Sequence, residues 1–172
     1  MTIALPTTTS TAATATVTEP AAALTPEGRR IVVGVDGSAE SKGALRWAAR
    51  QAQTTGAHLH VITTWEIPSF AYAGAGIPYP GNLDLKSGSR RALERTITET
   101  LGDHIGLDVT QTVVEGHPAI VLLEAAVGAD LLVIGSRGHG AFAGMVLGSV
   151  SEHCVAHASC PVVVIPPNSS PA

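Results

Sequence analysis

Leu131 to Ser151 reads LLVIGSRGHGAFAGMVLGSVS. An apolar run from Leu131 to Ile134 stops at Gly135, and a glycine-dense loop follows with Gly138, Gly140 and Gly144. At Gly148-Ser149 a helical pattern begins. The order is a buried strand, a long loop and a helix N-terminus. Glycine admits positive φ and lets a ligand approach the main chain. A helix start presents unpaired N–H groups and partial positive charge, so the stretch has the makings of a phosphate cradle. A glycine-rich connection that binds nothing has the same composition, so the flanking chain must decide.

Outward from this loop, strand and helix patterns alternate. Arg30 to Asp36 (RIVVGVD) is a β-branched run that ends in an Asp-Gly-Ser turn. Ser38 is a suitable N-cap and Glu40 suits the first turn of a helix. Ala44, Leu45, Ala48, Ala49 and Ala52 recur at helical spacing, with a stop near Thr55-Gly56. Ala57 to Trp65 reads as the second strand. Glu66 to Asn82 is a Pro- and Gly-rich loop, suited to a flap. A helix over about Asp84 to Leu101 carries an apolar stripe of Leu93, Ile97 and Leu101. Leu107 to Glu115 is the third strand. Pro118 opens a third helix, with Ile120, Leu123 and Val127 expected to face inward and Gly128 to end it. Ser149 to His157 is a short last helix, and Pro161 to Ile165 the last strand.

This alternation predicts an α/β fold: a doubly wound five-stranded parallel sheet in order 3-2-1-4-5, with helices on both faces. Ligands of such sheets sit beyond the carboxyl ends of the strands where winding reverses. The Asp36 turn and the Gly135 loop both fall at that point, after the first and fourth strands. The expected organisation is a Thr/Ala/Pro-rich disordered tail over residues 1–28, one domain over 29–166 and a flexible tail over 167–172.

Composition excludes several classes. A formal net charge of -4 argues against a nucleic-acid binder. No apolar run approaches a membrane span, and the N-terminus lacks a secretory pattern, so the expected location is the cytoplasm. The two cysteines are too few for a disulfide framework and read as small buried hydrophobes. His153 and His157 lie one turn apart near Cys160, but lack the further ligands of a zinc site. No G-x4-G-K-[ST] occurs, so the chain is not a P-loop NTPase. The third strand ends in Glu115-Gly116, without the phosphoacceptor Asp of a receiver domain. No local pattern of nucleophile and base stands out, and no catalytic residue is assigned.

If the loop holds phosphates, the hydroxyls of Ser149 and Ser151 and the Arg137 cation are suited to them, and His139 lies within reach. Asp36 would then be an anion beside anions. Two such charges 4 Å apart repel by about 4 kcal/mol at an effective dielectric of 20. Asp36 therefore either bonds ribose or adenine, or shares a divalent cation with the phosphates. The competing role is a simple turn cap.

The segments VVGVDGSAESKGALRWA and LLVIGSRGHGAFAGMVLGSVSEHCVAHASCPVVVI resemble the universal stress protein family across about Arg30 to Pro166. The G-x2-G-x9-G-[ST] signature, here Gly135, Gly138, Gly148 and Ser149, is similar to that of its ATP-binding branch. The resemblance implies an adenine nucleotide α-hydrolase-like fold and a cofactor, ATP with Mg²⁺. It implies that Gly34, Val35 and Asp36 lie against the adenosine and that Thr64 meets the adenine edge. Ile134 and Gly135 would line the ribose. Arg137, Gly138, Gly148, Ser149, Val150 and Ser151 would surround the phosphates, with Asp36 sharing the metal ion. It further implies a homodimer through Val162 to Ile165, whose unpaired apolar edge independently calls for cover. The expected function is a nucleotide-dependent stress-response switch or sensor with at most slow hydrolysis, since no general base is evident. A slow adenine-nucleotide hydrolase and a nucleotide-independent dimeric interaction module are the alternatives.

Overall fold

The computed structural model describes residues 28–66, 85–102, 106–139 and 146–167. The expectations for the two tails and for the Glu66–Asn82 loop fall outside these residues, apart from Gly28, Glu66 and Pro167. Gly140 and Gly144 of the glycine loop lie outside them as well.

The elements follow in the order β1 (Arg30–Gly34), α1 (Ala39–Thr55), β2 (His58–Trp65), α2 (Leu85–Leu101), β3 (Val109–Glu115), α3 (Pro118–Ala126), β4 (Leu131–Gly135), α4 (Ser149–His157) and β5 (Val162–Ile165). All strand pairs are parallel, and the sheet order is β3-β2-β1-β4-β5. The doubly wound sheet is the one the alternation predicts. β1 pairs β2 on one side and β4 on the other, so winding reverses between β1 and β4.

Two apolar layers hold the helices to the sheet. On one face, Ile31, Val33, Leu59, Val61 and Val133 pack with Leu45 of α1 and Leu93 and Ile97 of α2. On the other, Val32, Ile62, Leu132 and Ile134 pack with Leu122 of α3 and Cys154 of α4. Alternate residues of the central strands thus feed opposite cores, which is why those strands are apolar throughout. The small side chains of α1 (Ala44, Ala48, Ala49, Ala52) are buried, so that helix lies close on the sheet. Gly56 ends it in the left-handed region at φ 66°, and its N–H bonds the Ala52 carbonyl.

The structure corrects the phase of α3. Its buried residues are Ala119, Val121, Leu122 and Ala126, whereas Ile120 and Val127 are 53% and 65% exposed. The stop falls where expected: Val127 is the C-cap, and Gly128 follows in the left-handed region at φ 70°. PAIVLLEAA is apolar nearly all round, so its sequence carries no polar face from which to set the phase.

Cys154 is fully buried and Cys160 partly so, and both are free. Burial pushes the Cys154 thiol up to about 11, so little thiolate exists at neutral pH. The rings of His153 and His157 stack at 4.5 Å between centroids. Among the described residues no three His, Cys, Asp or Glu side chains gather as a metal site, and no helix is long and apolar enough to cross a membrane.

Candidate functional site

A cleft of about 470 Å³ opens at the carboxyl ends of β1, β2 and β4. Gly34, Val35, Asp36, Thr64, Ile134, Gly135, Arg137, Gly138, Gly148, Ser149, Val150 and Ser151, all singled out in the sequence, line it. So do Ser41, Ile62, Thr63, Pro118, Leu122 and His139. Ile62, Pro118 and Leu122 form an apolar wall. Their residue types carry no chemical signal, and the misphased α3 hid Leu122.

The β1 side of the cleft is closed on itself. The Ser38 N–H donates to Asp36 Oδ1 at 3.0 Å, an Asx turn at the end of β1. The Ser41 N–H donates to Ser38 Oγ at 3.2 Å, which caps α1. The Ser41 hydroxyl donates to the Ser38 carbonyl at 3.1 Å and accepts the Asp36 N–H at 3.3 Å. Asp36 therefore does fill the turn-capping role. Burial pushes its carboxyl up, but the Ser38 side-chain and backbone bonds, with Ser41 and the nearby His139, more than offset this. The net effect holds Asp36 below the ordinary carboxylate value. It is an anion at neutral pH.

The β4 side is open. Gly148 is the N-cap of α4 and has no side chain with which to cap it. The amides of the first turn, at Ser149, Val150 and Ser151, stand at the cleft. Main-chain bonds fix both ends of the preceding loop. The Ser136 N–H bonds the Ile165 carbonyl at 2.7 Å, and the Gly148 N–H bonds the Ser136 carbonyl at 2.7 Å. The Ser151 hydroxyl donates to the Gly135 carbonyl at 2.7 Å, so its proton is committed to holding the loop. Ser149 is exposed to the cleft.

Gly135 and Gly138 serve a purpose other than positive φ. A Cβ on Gly138 would collide with Asp36 Oδ2, and one on Gly135 would lie 2.9 Å from Glu40 Cβ and 3.0 Å from its backbone carbon. Among the described glycines, positive φ values occur elsewhere, as at Gly37 and Gly56. Gly135 and Gly138 are small because the two sides of the cleft touch there. His139 fastens the contact: its N–H donates to Asp36 Oδ2 at 3.3 Å, and its Nε2 lies 2.9 Å from the Asp36 carbonyl oxygen.

The Arg137 cation at the cleft is paired with a carboxylate rather than free. Arg137 lies 3.6 Å from Glu40 of α1, and both are largely shielded from solvent. An anionic ligand would therefore meet oriented main-chain N–H groups rather than a free lysine or arginine cluster. A divalent cation has a carboxylate in Asp36, but no full set of protein ligands among the described residues. Mg²⁺ commonly takes one or two carboxylates and completes its shell from phosphates and water, and the cleft fits that mode.

Comparison with known proteins agrees with the fold. The model of the Universal stress protein family matches residues 28–166. A universal stress protein of Mycolicibacterium smegmatis is 37% identical over 143 residues, which cover 78% of this chain and 47% of that protein. One from Thermus aquaticus is 33% identical over 144 residues, covering 80% and 98%. The chain thus spans about half the length of its mycobacterial relatives and nearly all of the Thermus protein. Among solved structures, a universal stress protein in complex with cAMP is 28% identical with a TM-score of 0.54, covering 80% of this chain and 96% of that one. The universal stress protein from Archaeoglobus fulgidus in complex with dAMP has a TM-score of 0.57 over 80% and 97%. At 22% identity it shows a shared fold.

Proposed function

Because the chain belongs to the universal stress protein family, we propose that it binds ATP with Mg²⁺ and acts as a nucleotide-dependent stress-response switch in the cytoplasm. The observation that carries this reading is the uncapped start of α4, open to a cleft at the point where the sheet reverses its winding. Phosphates would lie on the Ser149, Val150 and Ser151 amides, with Gly138 and Gly148 permitting close approach. The adenosine would lie along Gly34, Val35 and Thr64, against the wall of Ile62 and Leu122.

Asp36 and Glu40 place negative charge near the proposed phosphates, and Arg137 offsets one of them. Mg²⁺ between Asp36 and the phosphates would relieve the remaining repulsion. A carboxylate held below its ordinary value is also a weak base, which supports binding with little hydrolysis. Among the described residues β5 ends the sheet with only β4 beside it, and Val162 to Val164 are partly exposed. Such an edge supports a homodimer in which a second copy covers it.

The cAMP-bound relative supports a cyclic nucleotide as the competing ligand. Thermal unfolding with Mg-ATP, ATP alone and cAMP separates the cases. At 100 times its Kd, the true ligand stabilises the fold by about 2.7 kcal/mol. Absence of any shift at millimolar ATP, with or without Mg²⁺, overturns the ATP assignment.

A further inference from the structure

A second cavity, of about 260 Å³, lies where the C-terminal half of α1 meets the end of α2, at the far end of α1 from Ser38. Its floor is apolar, made by Ala49, Leu101 and Leu107. Arg46, Arg50 and Gln53 also line it. Spacings of four and three residues along α1 set these three donors in a row on one helix face. Among the described residues, no ion pair engages either guanidinium; the Glu99 carboxylate of α2 pairs with Lys42 and Arg95, and Asp108 with His58.

Two guanidinium groups a turn apart repel each other, and a planar anion between them turns that repulsion into charge-assisted bonding. The leucine floor would meanwhile bury apolar surface rather than a bare ion. We propose that this cavity binds a small organic anion: a carboxylate or phosphoryl head held by Arg46 and Arg50, on a short apolar body seated against Leu101 and Leu107. Its size sits below the usual range for drug-sized ligands, which limits the body to a single ring or a short branched chain.

The site is separate from the cleft, so its test does not depend on nucleotide binding. Residue-resolved NMR of the full chain is followed during titration with benzoate, acetate and benzyl alcohol, which supply head and body, head alone and body alone. Benzoate is expected to give saturable shifts at the Arg46 and Arg50 side chains and at the amides of Gln53, Thr100 and Leu107. Acetate and benzyl alcohol should both bind more weakly. The double variant Arg46→Gln/Arg50→Gln keeps good helix formers and should lose about tenfold or more in affinity. No saturation by benzoate at concentrations on the order of 10 mM overturns the proposal. So does an unchanged affinity in the double variant, or equal affinity for acetate and benzoate. A carboxylate of the chain's own already seated between the guanidiniums would appear as the first of these results.

Discussion

The two sides of the cleft solve the same local problem in opposite ways. After β1, the chain enters α1 through Asp36, Ser38 and Ser41, and these side chains satisfy the turn and the helix start. After β4, the chain enters α4 through Gly148, which offers no side chain to the helix start. One helix N-terminus is capped by the protein, and the other is left for something else to cap. A structural turn minimises free donors, whereas a binding turn preserves them.

The largest expected effect comes from forcing the two sides apart. Gly138→Val places a side chain on Asp36, and the Mg-ATP-dependent stabilisation of about 2.7 kcal/mol at 100 times Kd should vanish in thermal melts. A wild-type shift in that variant breaks the assignment of the β4 side as the phosphate site. Next is the capped side: Ser38→Ala removes the α1 cap and should lower stability by about 1 kcal/mol, seen in urea as a lower midpoint at unchanged slope.

A smaller effect should follow from making the open side resemble the closed one. Gly148 has φ -82° and ψ 163°, and a Cβ there would meet Arg137 Cα at an ordinary 3.5 Å. Gly148→Ser should therefore cap α4 and raise the stability of the free protein by about a few tenths of a kcal/mol. It should also reduce the stabilisation by Mg-ATP, because the new hydroxyl takes a donor that phosphate would use. Both changes are read from one pair of melts; a larger ATP shift in this variant contradicts the open-cap reading.

The last effect concerns Asp36 and is read on the acid side. Its folded-state carboxyl titrates below the ordinary 3.8, so the unfolded chain takes up the proton first as pH falls. The contribution of Asp36 is whole above the unfolded value and is lost as pH drops through the folded one. Asp36→Asn should flatten that acid limb in pH-dependent melts while changing its shape little above pH values of about 5.

Much of this was legible in the sequence because the strands are short apolar runs and the helices carry clear starts. Ser38, Pro118 and Gly148-Ser149 mark three of the helix starts, and the reversal of winding then places Asp36 opposite Gly135. The reason for Gly138 was not legible. It depends on Asp36, far away in the chain, and no local pattern records a contact across a cleft. α3 was misphased because its near-uniform apolarity gives periodicity nothing to act on, and Leu122 left the expected site with it. Ser41 lay within reach: an Asp-Gly-Ser turn followed three residues after the cap by another serine already suggests side chains bonding the local backbone.

Ser136 gives the loop a property that bears on its length. Its carbonyl receives the Gly148 N–H while its own N–H is held by Ile165, so the two ends of the loop are joined by main-chain bonds. Those bonds fix the spacing of the two ends of the cradle. The entropy of closing a flexible loop grows only with the logarithm of its length, and a doubling adds only about 0.6 kcal/mol. Insertions between His139 and Val146 should therefore change stability little, which makes that interval a place where length and sequence can vary while the two ends of the cradle keep their spacing.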